Sequence, residues 1–216
     1  MFQPPVFRET DTDVLYALMR EQAFATVISA ATGALSADHV PLVLHSEIGQ
    51  HGVLRGHLAA GNPLFRQTAE REAPIDVLAV FQGPQTYVTP SWYASKREHG
   101  KVVPTWNYVV VHAHGTLRFV REAEWLLAHL HALTDQHESH RPAPWAVSDA
   151  PAEFIERQFR GLVGFEIAIA RLDGTWKLSQ NKNAADREGV EQGLRAEGTP
   201  EKATLSDLVR DRAREP

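Results

Sequence analysis

The sequence contains no cysteine, which excludes disulfide bonds, thiolate metal sites and cysteine nucleophiles together. With 22 basic and 27 acidic side chains, it also lacks the basic surplus typical of nucleic-acid-binding proteins. No apolar run approaches the roughly 20 residues that a membrane-spanning helix needs. The N-terminus, MFQPPVFRETD, shows no signal pattern. We therefore expect a soluble cytoplasmic protein that has no membrane partner.

A local basic cluster remains near the C-terminus, where Arg210, Arg212 and Arg214 alternate with other residues. Two interpretations are open: a basic patch for a polyanion, or the solvated face of a helix. Charge runs of this kind are more often solvated helix faces, and we favour that interpretation.

Short strands separated by turns dominate the rest of the pattern. The predicted strands are 24–30, 35–44, 53–58, 76–81, 85–88, 106–120, 162–172 and 175–178. Pro41 indicates an edge strand or a bulge, whereas Gly83-Pro84 and Asp173-Gly174 predict turns. The predicted helices begin near Thr10 and cover 63–72, 122–136, 151–160 and the C-terminal segment. Tight turns between neighbouring strands favour an antiparallel closed sheet, so we predict a mainly β fold, a β-barrel with satellite helices.

The longest predicted strand, Trp106 to Val120, has two different faces when it is read with a period of two. The apolar face is fit for a core: Val109, Val111, Ala113, Leu117 and Phe119. The other face is large, aromatic and polar: Trp106, Tyr108, Val110, His112, His114, Thr116 and Arg118. We expect this second face to line a groove or an interface.

The entrance to this strand, Pro104 to Tyr108, combines an indole with an amide. Asn107 offers a donor and an acceptor, and Trp106 offers a stacking surface, so the pair suits a planar heteroaromatic ligand. A packed strand end in which Asn107 caps a turn explains the same residues and stays open.

His112 and His114 lie on one strand face, two positions apart, and could clamp a metal or a haem. Spacing supplies no third ligand, since His99, His137 and His140 fall in predicted loops or at their edges. Two histidines packed at an interface explain the pattern equally simply, and we predict no metal ligand.

Two further stretches suit an anion. Gly56 to Pro63 leads from a strand through small residues into a helix, where backbone amides can approach a negative charge. Lys177 to Lys182 concentrates cations, a hydroxyl and amides at a strand end, as a phosphate or ribityl clamp would. An ordinary strand-to-helix turn and a polar helix cap, respectively, remain alternatives.

Five blocks, taken in order, resemble the PaiB family of FMN-binding negative transcriptional regulators. They are His39-Val40-Pro41, Gly56-His57-Leu58 with Asn62-Pro63, Tyr87 to Tyr93 (YVTPSWY), Val103 to Tyr108 (VPTWNY) and Lys177 to Lys182 (KLSQNK). The resemblance covers roughly residues 1–195. It implies an FMN-binding split barrel, and we expect a single domain over 1–216 with a helical C-terminal extension from about residue 183.

The family resemblance also implies a homodimer with flavin sites at the subunit interface and FMN as the cofactor. The residues that it places near FMN are His39, Val40, Pro41, Leu42, Gly56, His57, Leu58, Asn62, Thr105, Trp106, Asn107, Lys177, Ser179, Gln180 and Asn181. The strands bearing His39 and Gly56 would approach the ribityl phosphate and the ring, and Trp106 would lie by the isoalloxazine. No catalytic residue is implied.

The sequence departs from the family in one respect, because flavin-binding split barrels often present a basic cluster to the phosphate. Arg55, His57, Arg66, Lys96 and Lys177 are scattered over different segments. A phosphate prefers charge-assisted partners, so we expect FMN binding to be weak or lost in this member.

The family implies a repressor, although the sequence shows neither a helix-turn-helix pair nor a basic surplus. We therefore expect an indirect regulator of transcription that is not an enzyme, with direct DNA binding doubtful. One alternative is a flavin-dependent oxidoreductase acting on a small molecule, in which Tyr93, Lys96 or His112 could donate a proton. Another is a haem- or metal-binding relative that uses His112 and His114.

Overall fold

The computed structural model describes residues 1–71 and 73–212, so Arg214 of the C-terminal basic run lies outside the described residues. The strands are β1 (Arg8–Glu9), β2 (Phe24–Ser29), β3 (Ser36–Pro41), β4 (Val43–His45), β5 (Val53–Ala59), β6 (Ile75–Val88), β7 (Thr105–Val120) and β8 (Leu162–Lys177). The helices are α1 (Thr12–Glu21), α2 (Pro63–Thr68), α3 (Ser95–Glu98), α4 (Ala123–Glu138), α5 (Ala152–Phe159), α6 (Ala184–Ala196) and α7 (Pro200–Arg212). Short 3-10 helices cover Pro5–Phe7, Pro90–Trp92 and Val147–Asp149.

The strands form one sheet in the order β3-β2-β6-β7-β8-β5-β4, with β1 paired to β8. The pairs of known register are all antiparallel. Short connections account for this only in the consecutive pairs β2–β3 and β4–β5. This arrangement confirms the predicted mainly β, antiparallel architecture. Among the described residues, no helix combines the length and apolar character needed to cross a lipid bilayer.

The chain divides into two compact units. Unit 1 contains Met1–Leu15, Gln82–Val111 and the segment from Asp173 onwards, which includes α6 and α7. Unit 2 contains Tyr16–Phe81 and His112–Leu172. The single-domain organisation with a C-terminal extension stays a prediction.

Strand β7 confirms the two predicted faces except at Phe119, which was predicted for the core face and is half-buried. Val109, Val111, Ala113 and Leu117 are buried, whereas His112, His114 and Thr116 on the opposite face are half-buried. Val110 is the exception on that opposite face, because it is also buried. Alternation of the side chains along the strand thus separates a core face from a face that is partly open to solvent.

The turn predicted at Gly83-Pro84 was wrong, because β6 runs without interruption through both residues. Buried positions are odd-numbered up to Gly83 and even-numbered from Thr86 to Val88. The intervening pair, Pro84 and Gln85, is not buried. A change of phase over two residues is the signature of a β-bulge, which bends a strand where a hairpin would reverse it.

The hairpin predicted at Asp173-Gly174 was also wrong, because β8 continues through it to Lys177. Gly174 pairs with Glu9 of β1. A Cβ at this position would overlap the side chain of Leu15 and crowd the Glu9 carbonyl. The glycine therefore permits the close approach of a neighbouring strand and helix, and it does not form a turn.

Pro41 is the last residue of β3, which lies at an edge of the sheet, as predicted. Near the C-terminus, Arg210 and Arg212 are part of α7. Arg210 pairs with Asp207 at 2.8 Å and with Asp211 at 3.1 Å, and Arg212 pairs with Glu9. These ion pairs favour the helix-face interpretation of Arg210 and Arg212 over a free basic patch.

Candidate functional site

Unit 1 brings together two stretches that are about 70 residues apart in sequence: the start of β7 and the end of β8. Lys177 Nζ donates to Thr105 Oγ1 at 2.5 Å. Just beyond the end of β8, Ser179 Oγ donates to Oδ1 of Asn107 on β7 at 3.1 Å. The VPTWNY and KLSQNK blocks therefore form one polar cluster, because neighbouring strands bring them side by side.

Asn107 is fully buried in this cluster, and only its oxygen is satisfied. Its Nδ2 has no hydrogen-bond partner among the described residues. Buried amides are normally paired, since leaving a donor unsatisfied costs about 1–3 kcal/mol. A ligand acceptor could pair with this donor only if the surrounding side chains moved to make room, because the atom is shielded from solvent.

Ser179 adds a second unusual feature, because it is the one non-glycine residue of the described chain with a positive φ, at 65°. A residue other than glycine rarely adopts this conformation, and it persists where the surroundings determine it. The conformation holds the Ser179 hydroxyl against Asn107, so the strand end is locked in shape.

Lys177 and Lys182 supply positive charge beside the cluster. Burial and the nearby ammonium of Lys182 lower the pKa of Lys177. Lys182 Nζ lies 4.9 Å from the centre of the Tyr93 ring, a cation–π distance. Two cations at one strand end would favour an anionic or electron-rich ligand.

Gln180 and Asn181 take different positions. The Gln180 side chain accepts from the backbone N–H of Leu178 and donates to the carbonyl of Trp176, so it stabilises the end of β8. Asn181 is exposed. Gln180 therefore has a structural role in this geometry, and Asn181 is accessible to a ligand.

An exposed aromatic pair lies at the start of β7. Trp106 is 53% exposed, and its ring meets the ring of Tyr87 edge to face at 6.2 Å. Val103, shortly before the strand, is 68% exposed. These three exposed apolar side chains lie close in sequence to residues of the polar cluster. Their surface is suited to stacking or to a protein contact.

Tyr93, Ser95 and Asp186 form a buried group that sequence reasoning did not find, apart from naming Tyr93 as a possible proton donor. Asp186 accepts from the Ser95 backbone N–H at 2.9 Å and from the Ser95 hydroxyl. Burial would raise the pKa of Asp186, but the Ser95 hydrogen bonds and the Lys182 charge outweigh it, and the pKa is lowered. Asp186 is therefore a buried carboxylate that stays charged.

The Tyr93 hydroxyl is buried and, among the described residues, has no hydrogen-bond partner. Burial raises the pKa of Tyr93, and the negative charge of Asp186 and the Tyr87 phenol act in the same direction. A neutral phenol that keeps its proton is a possible donor to a ligand. Only one signal in the sequence pointed here: Asn183 and Asp186 have the spacing of a helix N-cap and its third position, which places Asp186 but not its partners.

The predicted residues of unit 2 are more mixed. Val40, Leu42 and Leu58 are buried core side chains. At Gly56, a Cβ would overlap the ring of Phe165, so this glycine allows close packing of β5 on β8. These four residues position the strands, and any contact that they make with a ligand would come from the backbone.

The polar residues of the same blocks have local partners. His39 is exposed. Its Nδ1 and Thr26 Oγ1 share a hydrogen bond of 3.0 Å, and its ring stacks near the ring of Phe24. Asn62 accepts from the Leu64 N–H at 2.8 Å as the cap of α2, and its amide donates to Asp38 at 2.6 Å. Pro41 ends β3. Asn62 is thus a helix cap first, as the strand-to-helix alternative predicts.

His57 is bound to a histidine that sequence reasoning missed. His57 Nδ1 lies 3.1 Å from Nε2 of His129, which is 2% exposed and stacks on Trp125. Burial, reinforced by the charges of His57, His45 and Arg55, lowers the pKa of His129 to about 3. Burial also lowers the pKa of His57. Both rings are therefore neutral near pH 7, and one donates to the other.

The His112 and His114 rings are 6.3 Å apart and tilted by 59°. Within residues 1–71 and 73–212, no three histidine, aspartate or glutamate side chains are grouped as metal ligands would be. His112 and His114 thus lie close together on one face of β7, as the sequence suggested.

Comparison with known proteins relates the whole chain to one family. A family model described as "Putative FMN-binding domain" matches residues 1–171. The chain is 34% identical over 212 residues to the protease synthase and sporulation protein PAI 2 of Bacillus subtilis, with 98% of each chain covered. The chain belongs to the PaiB family. A further relative, an uncharacterised protein of Emericella nidulans, is 32% identical over 244 residues and covers 98% of this chain and 97% of its own.

Solved structures extend this relation to the fold. The FAD and heme binding protein of Mycobacterium smegmatis superposes with a TM-score of 0.58 at 17% identity, covering 86% of this chain and 80% of its own. The flavocytochrome Anf3 of Azotobacter vinelandii gives 0.52 at 13% identity, covering 79% and 69%. At such identities the likeness concerns the fold alone, and it confirms the split barrel expected for the PaiB family.

Proposed function

We propose that this PaiB-family protein binds FMN and that the polar cluster around Asn107 contacts the isoalloxazine. The observation that supports this most strongly is the unsatisfied, fully buried Nδ2 of Asn107. The carbonyl oxygens and ring nitrogens of an isoalloxazine are acceptors that could satisfy it. Binding would then remove the cost of an unpaired buried donor, which favours this ligand class over a purely apolar one.

The other residues of the cluster fit the same group. Trp106 offers an exposed indole for stacking, and the Lys177 ammonium and the Thr105 hydroxyl offer donors at the neighbouring strand end. Asn181 is open to solvent and within the same block. FMN, when bound, supplies electron and hydride transfer, whereas these residues bind and orient it. The contributions of His39 to Leu42, Gly56 to Leu58 and Asn62 stay predictions.

The test is a titration of the apo protein with FMN, followed by absorbance and flavin fluorescence. The informative variant is Asn107→Leu, which removes the unpaired amide at nearly constant volume. It should weaken FMN binding about tenfold, since one hydrogen bond is lost. Because it also removes the acceptor of the buried Ser179 hydroxyl, a thermal melt checks that the variant is folded. Gln192→Leu, which makes the same exchange at an exposed site of α6, is the matched control.

Two results would contradict this proposal. One is an unchanged FMN affinity in Asn107→Leu. The other is a wild-type protein that neither carries nor takes up FMN at micromolar concentrations. In the second case the split barrel would have been kept without this cofactor site.

The homodimer is part of the same proposal, supported by the apolar surface of Trp106, Tyr87 and Val103 in unit 1. Exposed aromatic groups of this kind are typical of the centre of protein interfaces. Light scattering of the wild type should give twice the mass of the chain.

We further propose that the protein represses transcription indirectly. The formal net charge of -5 disfavours direct contact with DNA, and the described ion pairs of Arg210 and Arg212 reduce the basic character of α7. A gel-shift series at low ionic strength is expected to show no retarded promoter fragment. A shift that weakens steeply with salt would show direct binding instead.

A flavin-dependent oxidoreductase is the second candidate, favoured by the buried Tyr93 hydroxyl without a described partner. A tyrosine whose pKa is raised keeps its proton and can deliver it to a reduced substrate. With FMN bound, oxidation of a reduced nicotinamide in the presence of an electron acceptor would be measured for wild type and Tyr93→Phe. A loss of turnover with full flavin occupancy in the variant would favour the enzyme, and no wild-type turnover would exclude it.

The haem or metal alternative, which relies on His112 and His114, stays a prediction with the same two candidate ligands. A Soret band in the purified protein would support it. The cytoplasmic location likewise stays a prediction from the sequence.

A further inference from the structure

Unit 2 contains a basic cavity, and none of the predicted site residues is part of its lining. Its volume is about 440 Å³, and three arginines contribute to its lining: Arg71 after α2, Arg118 on β7 and Arg121 just after β7. This size is within the range of small-molecule pockets. In a chain with a formal net charge of -5, three exposed arginines on the lining of one cavity are unexpected.

Each of the three arginines is held by the protein while part of its guanidinium remains available. Arg71 Nη1 donates to the Ala31 carbonyl at 3.2 Å, and Arg121 lies 5.1 Å from the centre of the Phe65 ring. Arg118 donates through Nη2 to Glu166. A guanidinium has five N–H donors, so these contacts orient the groups and leave further donors for a ligand.

Among the described residues, the cavity lining contains three arginines and one carboxylate, Glu122, which accepts from the Arg121 backbone N–H. Glu166 lies outside the lining and pairs with Arg118, but it is shared, because its Oε1 also accepts from Arg55 Nε at 2.9 Å and from Trp125 Nε1 at 3.1 Å. The described lining is therefore more basic than acidic, which favours an anion such as a phosphate monoester.

The remaining lining is largely apolar, with the buried Ile75 and Leu117 and the half-buried Phe119. The Phe119 ring also packs edge to face on the Phe65 ring, with 5.0 Å between the ring centres. The Arg121 guanidinium lies over the Phe65 ring. Inorganic phosphate alone would leave this wall without a partner. An organic phosphate could place its charged head on the arginines and its apolar part on the wall.

We infer that this arginine cavity binds the phosphate group of a small organic phosphate monoester. The inference does not depend on the flavin contacts proposed for unit 1. The phosphate could belong to FMN itself or to a second ligand, and both share the chemistry that the cavity recognises.

Phenyl phosphate is a suitable probe, titrated into the full-length protein at low ionic strength and followed by calorimetry. Arg71→Gln and Arg121→Gln each remove one guanidinium and should weaken binding about tenfold or more, because charge-assisted hydrogen bonds are lost. Arg97→Gln changes an exposed arginine of α3 and should bind as the wild type does. Thermal melts check that every variant is folded. If Arg121→Gln does not fold, Arg121→Lys, which keeps the charge but loses the planar guanidinium, takes its place.

FMN and riboflavin, which differ by the phosphate, distinguish the two sources. If the cavity variants weaken binding of FMN but not of riboflavin, the phosphate is that of the flavin. If they weaken binding of phenyl phosphate and leave FMN unchanged, the cavity serves a second phosphorylated ligand. The inference is overturned if the wild type does not bind phenyl phosphate at millimolar concentration. It is also overturned if all variants bind equally, which would indicate an adventitious ion only.

Discussion

The buried histidine pair of unit 2 predicts that acid destabilises this protein well before its carboxylates are fully protonated. His129 is 2% exposed, and its pKa is lowered to about 3, mainly by burial. In the unfolded chain a histidine has a pKa of about 6.5. Below that pH the unfolded state binds a proton that folded His129 refuses, so stability falls as the pH decreases through 6.5 and continues to fall towards pH 3.

The magnitude follows from the two pKa values. At pH 5 the loss from His129 alone is about 2 kcal/mol, and at pH 3 and below it approaches about 4–5 kcal/mol. A typical domain has about 5–15 kcal/mol of stability in total, so the effect is readily measurable. The groups around His129 act in the same direction, because His57, His45 and Arg55 all disfavour a second positive charge. Glu47 Oε1 lies 3.1 Å from His45 Nδ1, and its negative charge offsets part of the effect of His45.

The assay is chemical unfolding of the wild type and His129→Phe at pH 7, 6 and 5. Phenylalanine preserves the ring against Trp125 and removes the titrating group. The stability that the wild type loses between pH 7 and pH 5 should exceed the loss in the variant by about 2 kcal/mol. His137→Phe, at an exposed position of the same helix, should lose as much as the wild type. Equal pH dependence in all three proteins would refute a buried neutral His129.

Three further predictions concern packing, charge and assembly. Gly174→Ala should cost about 1–3 kcal/mol in chemical unfolding, because its methyl group would overlap packed neighbours, whereas Gly61→Ala, where nothing lies within 4 Å, should be nearly neutral. Asp186→Asn should cost about 1.5–3 kcal/mol at pH 7 through weakened charge-assisted hydrogen bonds, whereas the exposed Asp76→Asn should change little. If the homodimer forms through the exposed aromatic surface, Trp106→Glu should give a folded monomer by light scattering.

Each of these predictions has a clear contrary outcome. Gly174→Ala as stable as the wild type would mean that the strand and helix move apart at little cost. If Asp186→Asn is as stable as the wild type, an amide satisfies the Ser95 donors as well as a carboxylate does. If light scattering still gives the mass of a dimer for Trp106→Glu, that surface is not part of the interface.

Much of the architecture could be predicted from residue order alone. The alternation along β7 depends only on the period of two of an extended chain, so its buried and open faces were evident in the sequence. Pro41 indicated an edge because it has no N–H to donate to a neighbouring strand. The ordered blocks from His39 to Lys182 are sufficient to indicate the PaiB family, which the 34% identity to the Bacillus subtilis protein confirms.

The tertiary structure decided what local patterns could not. Gly83-Pro84 and Asp173-Gly174 have turn propensity, but partner strands supply hydrogen bonds along extended backbone, and that long-range pairing outweighs a local preference.

Burial was equally invisible in the sequence. Asn107 and His129 look like ordinary polar residues in the chain, and only packing removes their side chains from water. That same packing leaves an amide donor unpaired and keeps an imidazole neutral, and it brings Arg71 to the same cavity as the distant Arg118 and Arg121. These properties belong to contacts between residues far apart in sequence, because desolvation and charge depend on what surrounds a group and not on its neighbours along the chain.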